Sequence, residues 1–206
     1  CSADGSVVVG ETDSTTGRKA FRWTSAGMVS LGGLPSSNLS VANACNADGS
    51  VVVGFSNNSL GRPEAFRWTS AGMVGLGDLA GGTFNSVATA VSADGSVVVG
   101  RGVDANHISE AFIWDATNGM RSLQSVLLAA GIDISSEFEL LRANGISADG
   151  NTICARRVWG ARAEPLSAIV VGPQPCASIF RQRRQLAPGA EMTQESVPPH
   201  ETGTRR

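Results

Sequence analysis

Three acidic side chains could take part in acid–base chemistry: Glu64, Glu110 and Asp115. Enzymes that hydrolyse glycosidic bonds place two carboxyl groups on either side of the bond, so such residues would have to meet at one cleft. Glu64 and Glu110, however, each precede a copy of the same short motif, Ala-Phe-x-Trp, and a residue that recurs with a motif is more often structural. We therefore predict no catalytic residue, and keep a glycoside hydrolase or polysaccharide lyase as the alternative.

A histidine offers a second route to catalysis. His107 lies in a variable segment close to Asp104 and Glu110, where a nucleophile, a histidine and a carboxylate could form a catalytic set. No G-x-S-x-G sequence marks a nucleophile anywhere in the chain. We interpret His107 as a solvated loop histidine.

The aspartates of the repeated Asp-Gly pairs suggest a calcium site at first sight. Calcium needs six to eight oxygen ligands that converge on one point, and one Asp in about 45 residues does not supply them. The glycines form neither a P-loop nor a dinucleotide-binding motif. We predict no metal site and no cofactor, and interpret the Asp-Gly pairs as turns.

The four cysteines show no C-x-x-C spacing, which argues against a zinc or redox motif. Cys1 and Cys45 occupy the repeat position that Val91 and Ile146 fill in later copies. They are therefore predicted to be small buried residues of a strand. A disulfide between Cys1 and Cys45 is the alternative, and requires Cα atoms within about 7 Å.

Two motifs recur in step along the chain. The first, Ser-Ala-Asp-Gly-Ser-Val-Val-Val-Gly or a variant of it, covers residues 2–10, 46–54 and 92–100, and recurs in degenerate form at 147–154. The second, Ala-Phe-x-Trp, covers residues 20–23, 65–68 and 111–114. A repeat of this length is typical of propellers and solenoids, in which one small unit stacks on the next.

One copy of the repeat predicts four short strands, over residues 86–92, 97–100, 111–115 and 120–123. Asp94-Gly95 between the first two predicts a type I′ hairpin, with positive φ at both residues. Phe112 and Trp114 would share one face of the third strand and fill the space beside the next unit. Four antiparallel strands in about 45 residues match one blade of a β-propeller.

We therefore predict an all-β fold, an incomplete β-propeller of about three to four four-stranded blades over residues 1–172. The repeats run over about 1–43, 44–89 and 90–146, with a degenerate copy at 147–172. A short inserted helix is expected at about 122–130, because a Ser N-cap, apolar residues at helical spacing and a Gly stop follow one another.

The C-terminal part departs from the repeats. Residues 173–206 hold five of the eight prolines and the cluster Arg181, Arg183 and Arg184, which predicts a disordered or non-native tail. The chain has no initiator Met and opens inside a repeat, so we expect a fragment of a longer protein.

The paired motifs, with the Thr-x-x-Gly-Met-Val-x-Leu-Gly that follows the Trp, resemble the bacterial HAF repeat over about residues 1–154. That family is an extracellular, propeller-like repeat of secreted proteins and of autotransporter passenger regions. The resemblance implies an extracellular or cell-surface location, and it brings no catalytic residues.

Charge and hydropathy limit the partners. Residues 1–154 hold 14 acidic and 8 basic side chains, so they lack the basic surface that nucleic-acid binding requires. No apolar run reaches the roughly 20 residues of a membrane-spanning helix. The expected partner is an unknown extracellular protein or glycan. Open strand edges are a second expected contact, through which the chain would associate with itself.

The predicted function is thus that of a non-enzymatic extracellular repeat module, structural or adhesive. Loops on a rigid scaffold can vary without cost to the fold, so binding is expected at the segments that differ between copies. These segments are Thr12–Lys19, Ser56–Glu64 and Arg101–Glu110.

Overall fold

A computed structural model of the chain describes residues 1–82, 84–135, 139–159, 162–170 and 179–180. It contains four antiparallel sheets, each built from strands that follow one another in the chain. The first sheet comprises β1 (Val8–Ser14), β2 (Gly17–Thr24) and β3 (Gly27–Gly32). The second comprises β4 (Ser40–Cys45), β5 (Val52–Asn57), β6 (Pro63–Thr69) and β7 (Gly72–Gly75).

The third and fourth sheets continue the pattern. The third comprises β8 (Val87–Val91), β9 (Val97–Val103), β10 (Ser109–Asp115) and β11 (Gly119–Ser122). The fourth comprises β12 (Glu139–Ile146), β13 (Thr152–Trp159), β14 (Arg162–Val170) and β15 (Ile179–Phe180). The predicted all-β propeller architecture is confirmed, and each sheet is one blade.

The predicted inserted helix is confirmed as α1 (Leu123–Ala129). The Ser122 side chain caps its first turn by accepting a hydrogen bond from the backbone N–H of Ser125. Leu123 and Leu127 are buried, and they pack with residues of the third and fourth sheets. The helix therefore fills space between these two sheets. No helix in the described part of the chain has the length and apolar character needed to cross a membrane.

The core lies between neighbouring sheets. Val52 and Phe66 of the second sheet are fully buried against residues of the first sheet. Val98 and Phe112 of the third sheet are buried in the same way against the second. Trp114 packs in the same cluster as Phe112, as the shared face of β10 predicted. The second and third sheets therefore each bury one face on the preceding sheet and the other on the following sheet.

The Asp-Gly turns are built differently from the prediction. Gly95 has φ +75°, but Asp94 is not among the residues with positive φ, so the predicted type I′ hairpin is wrong. The Gly95 N–H donates to the Ser92 carbonyl at 3.0 Å, and the Val97 N–H donates to the Ser92 hydroxyl at 3.0 Å. The serine that opens the motif thus widens the turn, and only the glycine needs the left-handed region.

The variable segments are shorter as loops than the sequence suggested. Strand pairing continues to Ser14↔Gly17 in the first sheet, to Asn57↔Pro63 in the second and to Val103↔Ser109 in the third. Of the three variable segments, only residues 15–16, 58–62 and 104–108 lie outside the strands. The strands extend because the partner strand offers hydrogen bonds, whatever the side chains are.

The outer sheets depart from the regular four-stranded unit. The first sheet has three strands, β1 to β3, and its Ser-Ala-Asp-Gly turn begins at residue 2. In the fourth sheet, Pro165 lies where the β13–β14 register shifts, so its missing N–H interrupts no regular ladder pair. The predicted tail, 173–206, lies outside the described residues apart from β15.

Candidate functional site

The topology sorts the connections to two ends of the sheets. Because every pair of consecutive strands is antiparallel, the first and third connections of each complete sheet lie at one end. We call this the turn end, and it carries the Asp-Gly turns. The second connections and the links between sheets lie at the other end. We call this the variable-loop end, and it carries residues 15–16, 58–62 and 104–108.

At the turn end, the repeated motif bonds one sheet to the next. The backbone N–H of Ala3 donates to the carbonyl of Ala47 at 2.9 Å. Ala47 donates to Ala93 at 3.1 Å, and Ala93 donates to Ala148 at 3.0 Å. One ladder of hydrogen bonds therefore runs through all four sheets, which gives the recurring alanine a structural role.

The arginine of the Phe-Arg-Trp motif adds a second bond between sheets. Arg22 Nε donates to the carbonyl of Gly49 at 2.8 Å, and Arg67 Nε donates to that of Gly95 at 3.2 Å. The third copy has Ile113 in place of the arginine, buried in the cluster that holds α1. These arginines are committed to packing between blades, and they do not form a basic surface for an anionic ligand.

The turn aspartates are also committed within their turns. Asp94 Oδ1 accepts hydrogen bonds from the Ser92 hydroxyl at 2.6 Å and from the Ser96 N–H at 3.0 Å. These bonds lower the pKa of Asp94 to about 2, with the Ser92 hydroxyl contributing most. The Ser6 N–H and the Ser2 hydroxyl lower the pKa of Asp4 to about 2 in the same way. Within the described ranges, no three His, Cys, Asp or Glu side chains are placed to hold a metal ion.

At the variable-loop end, two loops have the same internal pattern of hydrogen bonds. In residues 58–62, the Asn58 side chain accepts hydrogen bonds from the N–H groups of Leu60 at 2.9 Å and Arg62 at 3.2 Å. In residues 104–108, Asp104 accepts from Asn106 at 3.0 Å and Ile108 at 2.8 Å. The loops thus hold their own shape, and can present different side chains on one frame.

A cavity of about 190 Å³ opens beside the 104–108 loop, between the third and fourth sheets. It is lined by Asp104, Asn106, Ile108, Ser109, Glu110, Gln124, Glu139 and Leu140. The volume is below that of most small-molecule pockets, so it suits a projecting group of a larger partner. The lining is acidic and rich in hydrogen-bonding groups, which favours hydroxyl or cationic groups.

Glu110, a candidate residue from the sequence, lines this cavity, as Asp104 does. It accepts a hydrogen bond from the Ser122 hydroxyl. Glu64 holds the equivalent place in the second sheet, where it accepts from the Gly77 N–H at 3.3 Å and lines a cavity of about 270 Å³. Each carboxylate therefore supports the link that leaves its own sheet, and each is open to a cavity at the variable-loop end.

The other candidates are not gathered at this place. Asp115 lies at the opposite end of β10 from Glu110, where Arg121 forms an ion pair with it at 2.5 Å. Five residues of extended strand separate the two carboxylates by roughly 16 Å, which is too far for one glycosidic bond. His107 does not line the cavity, and the backbone N–H of Ile108 holds the Asp104 carboxylate and lowers its pKa.

The cysteine predictions have mixed outcomes. Cys45 is half-buried at the end of β4, and burial raises the pKa of its thiol. Cys1 is exposed and precedes β1, so its predicted place inside a strand is wrong. Both thiols are free, and the alternative disulfide between them does not form.

Glu139 is the cavity residue that sequence reasoning missed. It lies in β12, directly after the long link that follows α1, and no repeat motif marks its position. The signal that could have found it is the repeat phase, since β12 starts the fourth sheet beside the loop of the third.

Comparison with known proteins identifies solved structures with a similar fold. The chain matches no protein-family model and no curated relative. It is similar to the solved structure of a putative TolB from Agrobacterium tumefaciens, at 15% identity and a TM-score of 0.57, over 82% of this chain and 56% of that one. It is also similar to TolB from Acinetobacter baumannii, at 13% identity and a TM-score of 0.56, over 86% of this chain and 41% of that one.

The chain therefore spans about half the length of the solved structures it matches. Similarity at this level of identity concerns the fold alone, and it establishes that the four sheets are blades of a β-propeller.

Proposed function

We propose that this chain is a non-enzymatic binding module of an extracellular or cell-surface repeat protein of the HAF type. The observation that carries the proposal is a difference between the turn end and the variable-loop end of the sheets. At the turn end, the recurring residues are used in bonds within the turns and between sheets, whereas the segments that differ between copies lie together at the other end.

The variable-loop end has the properties of a contact surface. Its two longer loops are held by Asn58 and Asp104. Beside them open the cavities that Glu64 and Glu110 line. A rigid frame lowers the entropy cost of binding, because the loops need no reordering on contact. The partner is an extracellular protein or a glycan that inserts a polar group into these cavities.

The experiment is a binding screen on glycan arrays and on displayed extracellular proteins, with three forms of the chain. The first is the wild type. The second replaces residues 58–62 and 104–108 with the two-residue turn Thr15-Thr16 of the first sheet, which already closes a hairpin of this fold. The third carries Ala71→Ser at the turn end, on an exposed residue outside the loops.

We expect a wild-type ligand whose binding the loop replacement abolishes and Ala71→Ser leaves intact. Binding that survives the loop replacement would place the contact elsewhere. A wild type that binds neither class of ligand would contradict the proposal.

The alternative, a propeller-based glycoside hydrolase or polysaccharide lyase, draws support from the three carboxylates that line the cavity beside the third sheet: Asp104, Glu110 and Glu139. Against it, the backbone N–H of Ile108 lowers the pKa of Asp104, and the Glu110 carboxylate already accepts a hydrogen bond from the Ser122 hydroxyl. Turnover of any polysaccharide that is lost in Glu110→Gln and kept in Glu64→Gln would favour the enzyme.

A further inference from the structure

The first and fourth sheets expose the two halves of the contact that joins consecutive sheets everywhere else in the chain. On the leading side, Val52 and Val98 are 0% exposed against the preceding sheet, but their counterpart Val8 is 39% exposed. Met28 is 57% exposed, whereas its counterpart Met73 packs in the core between the first and second sheets.

The same residues are buried where they recur in later sheets, so the exposure of Val8 and Met28 follows from the position of the first sheet. Val8, Phe21, Trp23 and Met28 repeat as residues 52, 66, 68 and 73, which pack on the first sheet, and as residues 98, 112, 114 and 120, which pack on the second. We call these four side chains of the first sheet the leading face.

The glycine of the first turn is open in the same way. A Cβ atom built on Gly49 would lie 2.6 Å from Val7, and one on Gly95 would lie 2.6 Å from Val51. A Cβ atom on Gly5 meets nothing within 4 Å. The first turn therefore has an empty place where a valine of a preceding sheet would sit.

The fourth sheet presents the complementary half. Ala148 accepts from Ala93, but its own N–H donates to no backbone group of the described chain, unlike the N–H groups of Ala3, Ala47 and Ala93. Asn144 lies at the β-bulge of β12 and is exposed. Its counterpart in the second sheet, Asn43, donates a hydrogen bond to the Ala88 carbonyl of the following sheet at 2.8 Å. Among the described residues, no strand of the first sheet packs extensively on the fourth, so these halves do not satisfy each other.

We propose that a second copy of this chain places its leading face on the fourth sheet of the first copy, and so repeats head to tail the contact between consecutive sheets. The bond of Ala148 to the partner copy would continue the alanine ladder. Such a heterologous contact closes into a ring or grows into a longer assembly, according to the rotation per copy. Two copies give eight blades, within the range of known propellers.

This contact differs from the strand-edge pairing that the sequence predicted, because it joins the faces of two sheets. It also uses other residues than the proposed ligand site, because the leading face, Gly5 and Ala148 lie outside the loops 58–62 and 104–108.

The test is the mass of the full chain by sedimentation equilibrium from about 1 to 100 µM, the range in which interfaces of modest affinity dissociate. We expect association that Val8→Lys and Gly5→Ala each weaken by about tenfold or more. The first buries a charge, and the second puts a methyl group where Thr152, the fourth-sheet counterpart of Val51, would sit. The controls are Val29→Lys and Gly119→Ala.

The controls are closely matched. Val29 is 61% exposed, and its counterpart Val74 remains 65% exposed inside the array, so this position faces solvent in any assembly. Gly119 has φ +70°, close to the +73° of Gly5, and a Cβ there also meets nothing within 4 Å. Both controls should associate as the wild type does.

A wild type that stays monomeric over this range overturns the proposal. Association that all four variants leave unchanged also overturns it, and points to the open strand edges. If Val8→Lys and Gly5→Ala lower the melting temperature of a monomer and the controls do not, another part of the same chain covers the leading face, and the second copy is again excluded.

Discussion

The backbone N–H of Ala47 donates to the carbonyl oxygen of Ala93, 3.1 Å away, and so bonds the turn of the second sheet to the turn of the third. The bond brings the two turns so close that Gly95 lies directly against Val51. The Ala-Asp-Gly sequence is thus explained in two parts. The alanine position joins the sheets, and the glycine position leaves room for the neighbour.

Gly95→Ala tests this close approach. The new Cβ would lie 2.6 Å from Val51 Cγ2, and the residue would keep φ near +75°. We expect the free energy of unfolding in urea to fall by about 2 to 4 kcal/mol, from overpacking together with the backbone cost. Gly119→Ala is the control, because it carries a similar φ without the contact and should cost only about 1 kcal/mol. Equal losses in the two variants would show that the contact is not tight.

Arg22→Ala tests the second bond between sheets. Its Nε donates to the Gly49 carbonyl at 2.8 Å, in a partly buried place. We expect a loss of about 1 to 2 kcal/mol in the free energy of unfolding, because the carbonyl loses a charged donor. The matched control is Arg18→Ala. Arg18 reaches Glu11 and Asp13 only at 3.4 Å on the surface, and its loss should change stability by less than about 0.5 kcal/mol. A larger loss of unfolding free energy in Arg18→Ala than in Arg22→Ala would contradict the role of Arg22 in bonding the sheets.

Much of this architecture could be predicted because local and long-range signals agree. Phe112 and Trp114 alternate with smaller residues along β10, and both pack on the neighbouring sheet, Phe112 fully buried and Trp114 partly buried. The helix α1 was predictable for the same reason, since its N-cap, spacing and stop lie within ten residues of sequence. Where a feature is encoded nearby in the chain, periodicity and turn chemistry suffice.

The parts that were not predicted depend on contacts that neither the Asp-Gly dipeptide nor a single repeat contains. The Asp-Gly turn was assigned a type I′ geometry from its dipeptide, but the Ser92 hydroxyl bonds to the Val97 N–H and imposes a wider loop. Glu139 joins Glu110 at one cavity only because two sheets pack side by side. The dipeptide rule does not include the serine, and the pairing of Glu139 with Glu110 appears only when the repeats are placed side by side.

Asp94→Asn tests the electrostatics of the turns. Hydrogen bonds from the Ser92 hydroxyl and the Ser96 N–H hold the pKa of Asp94 at about 2 in the folded chain, against about 3.9 for an unfolded Asp. A lowered folded pKa gives stability that is complete above the unfolded value and is lost as the pH falls from there towards 2. We expect the wild type to lose stability between about pH 4 and pH 2 more steeply than Asp94→Asn, because asparagine keeps an acceptor oxygen but does not titrate there.

The measurement is the urea midpoint of both proteins at several pH values between 7 and 2. Asp13→Asn serves as the control, since Asp13 is an exposed aspartate whose Arg18 partner is 3.4 Å away. Parallel curves for the wild type and Asp94→Asn would contradict the role assigned to the turn carboxylate.

His107→Gly tests whether the 104–108 loop stores backbone strain. His107 has φ +62°, and it stands where the equivalent loop of the second sheet has Gly61 at φ +71°. In both loops the N–H of this residue donates to the carbonyl of the residue three positions before it, at 3.1 Å in one and 2.9 Å in the other. A side chain in the left-handed region costs about 1 kcal/mol or more, whereas glycine adopts it freely and pays in unfolded-chain entropy. The balance should raise the free energy of unfolding of His107→Gly by about 0.5 to 1 kcal/mol.

His107→Ala separates the backbone from the imidazole, because alanine keeps the strain and should give no gain. A gain in both variants would instead assign the cost to the imidazole ring, and a loss in His107→Gly would mean that the ring makes a stabilising contact in the loop.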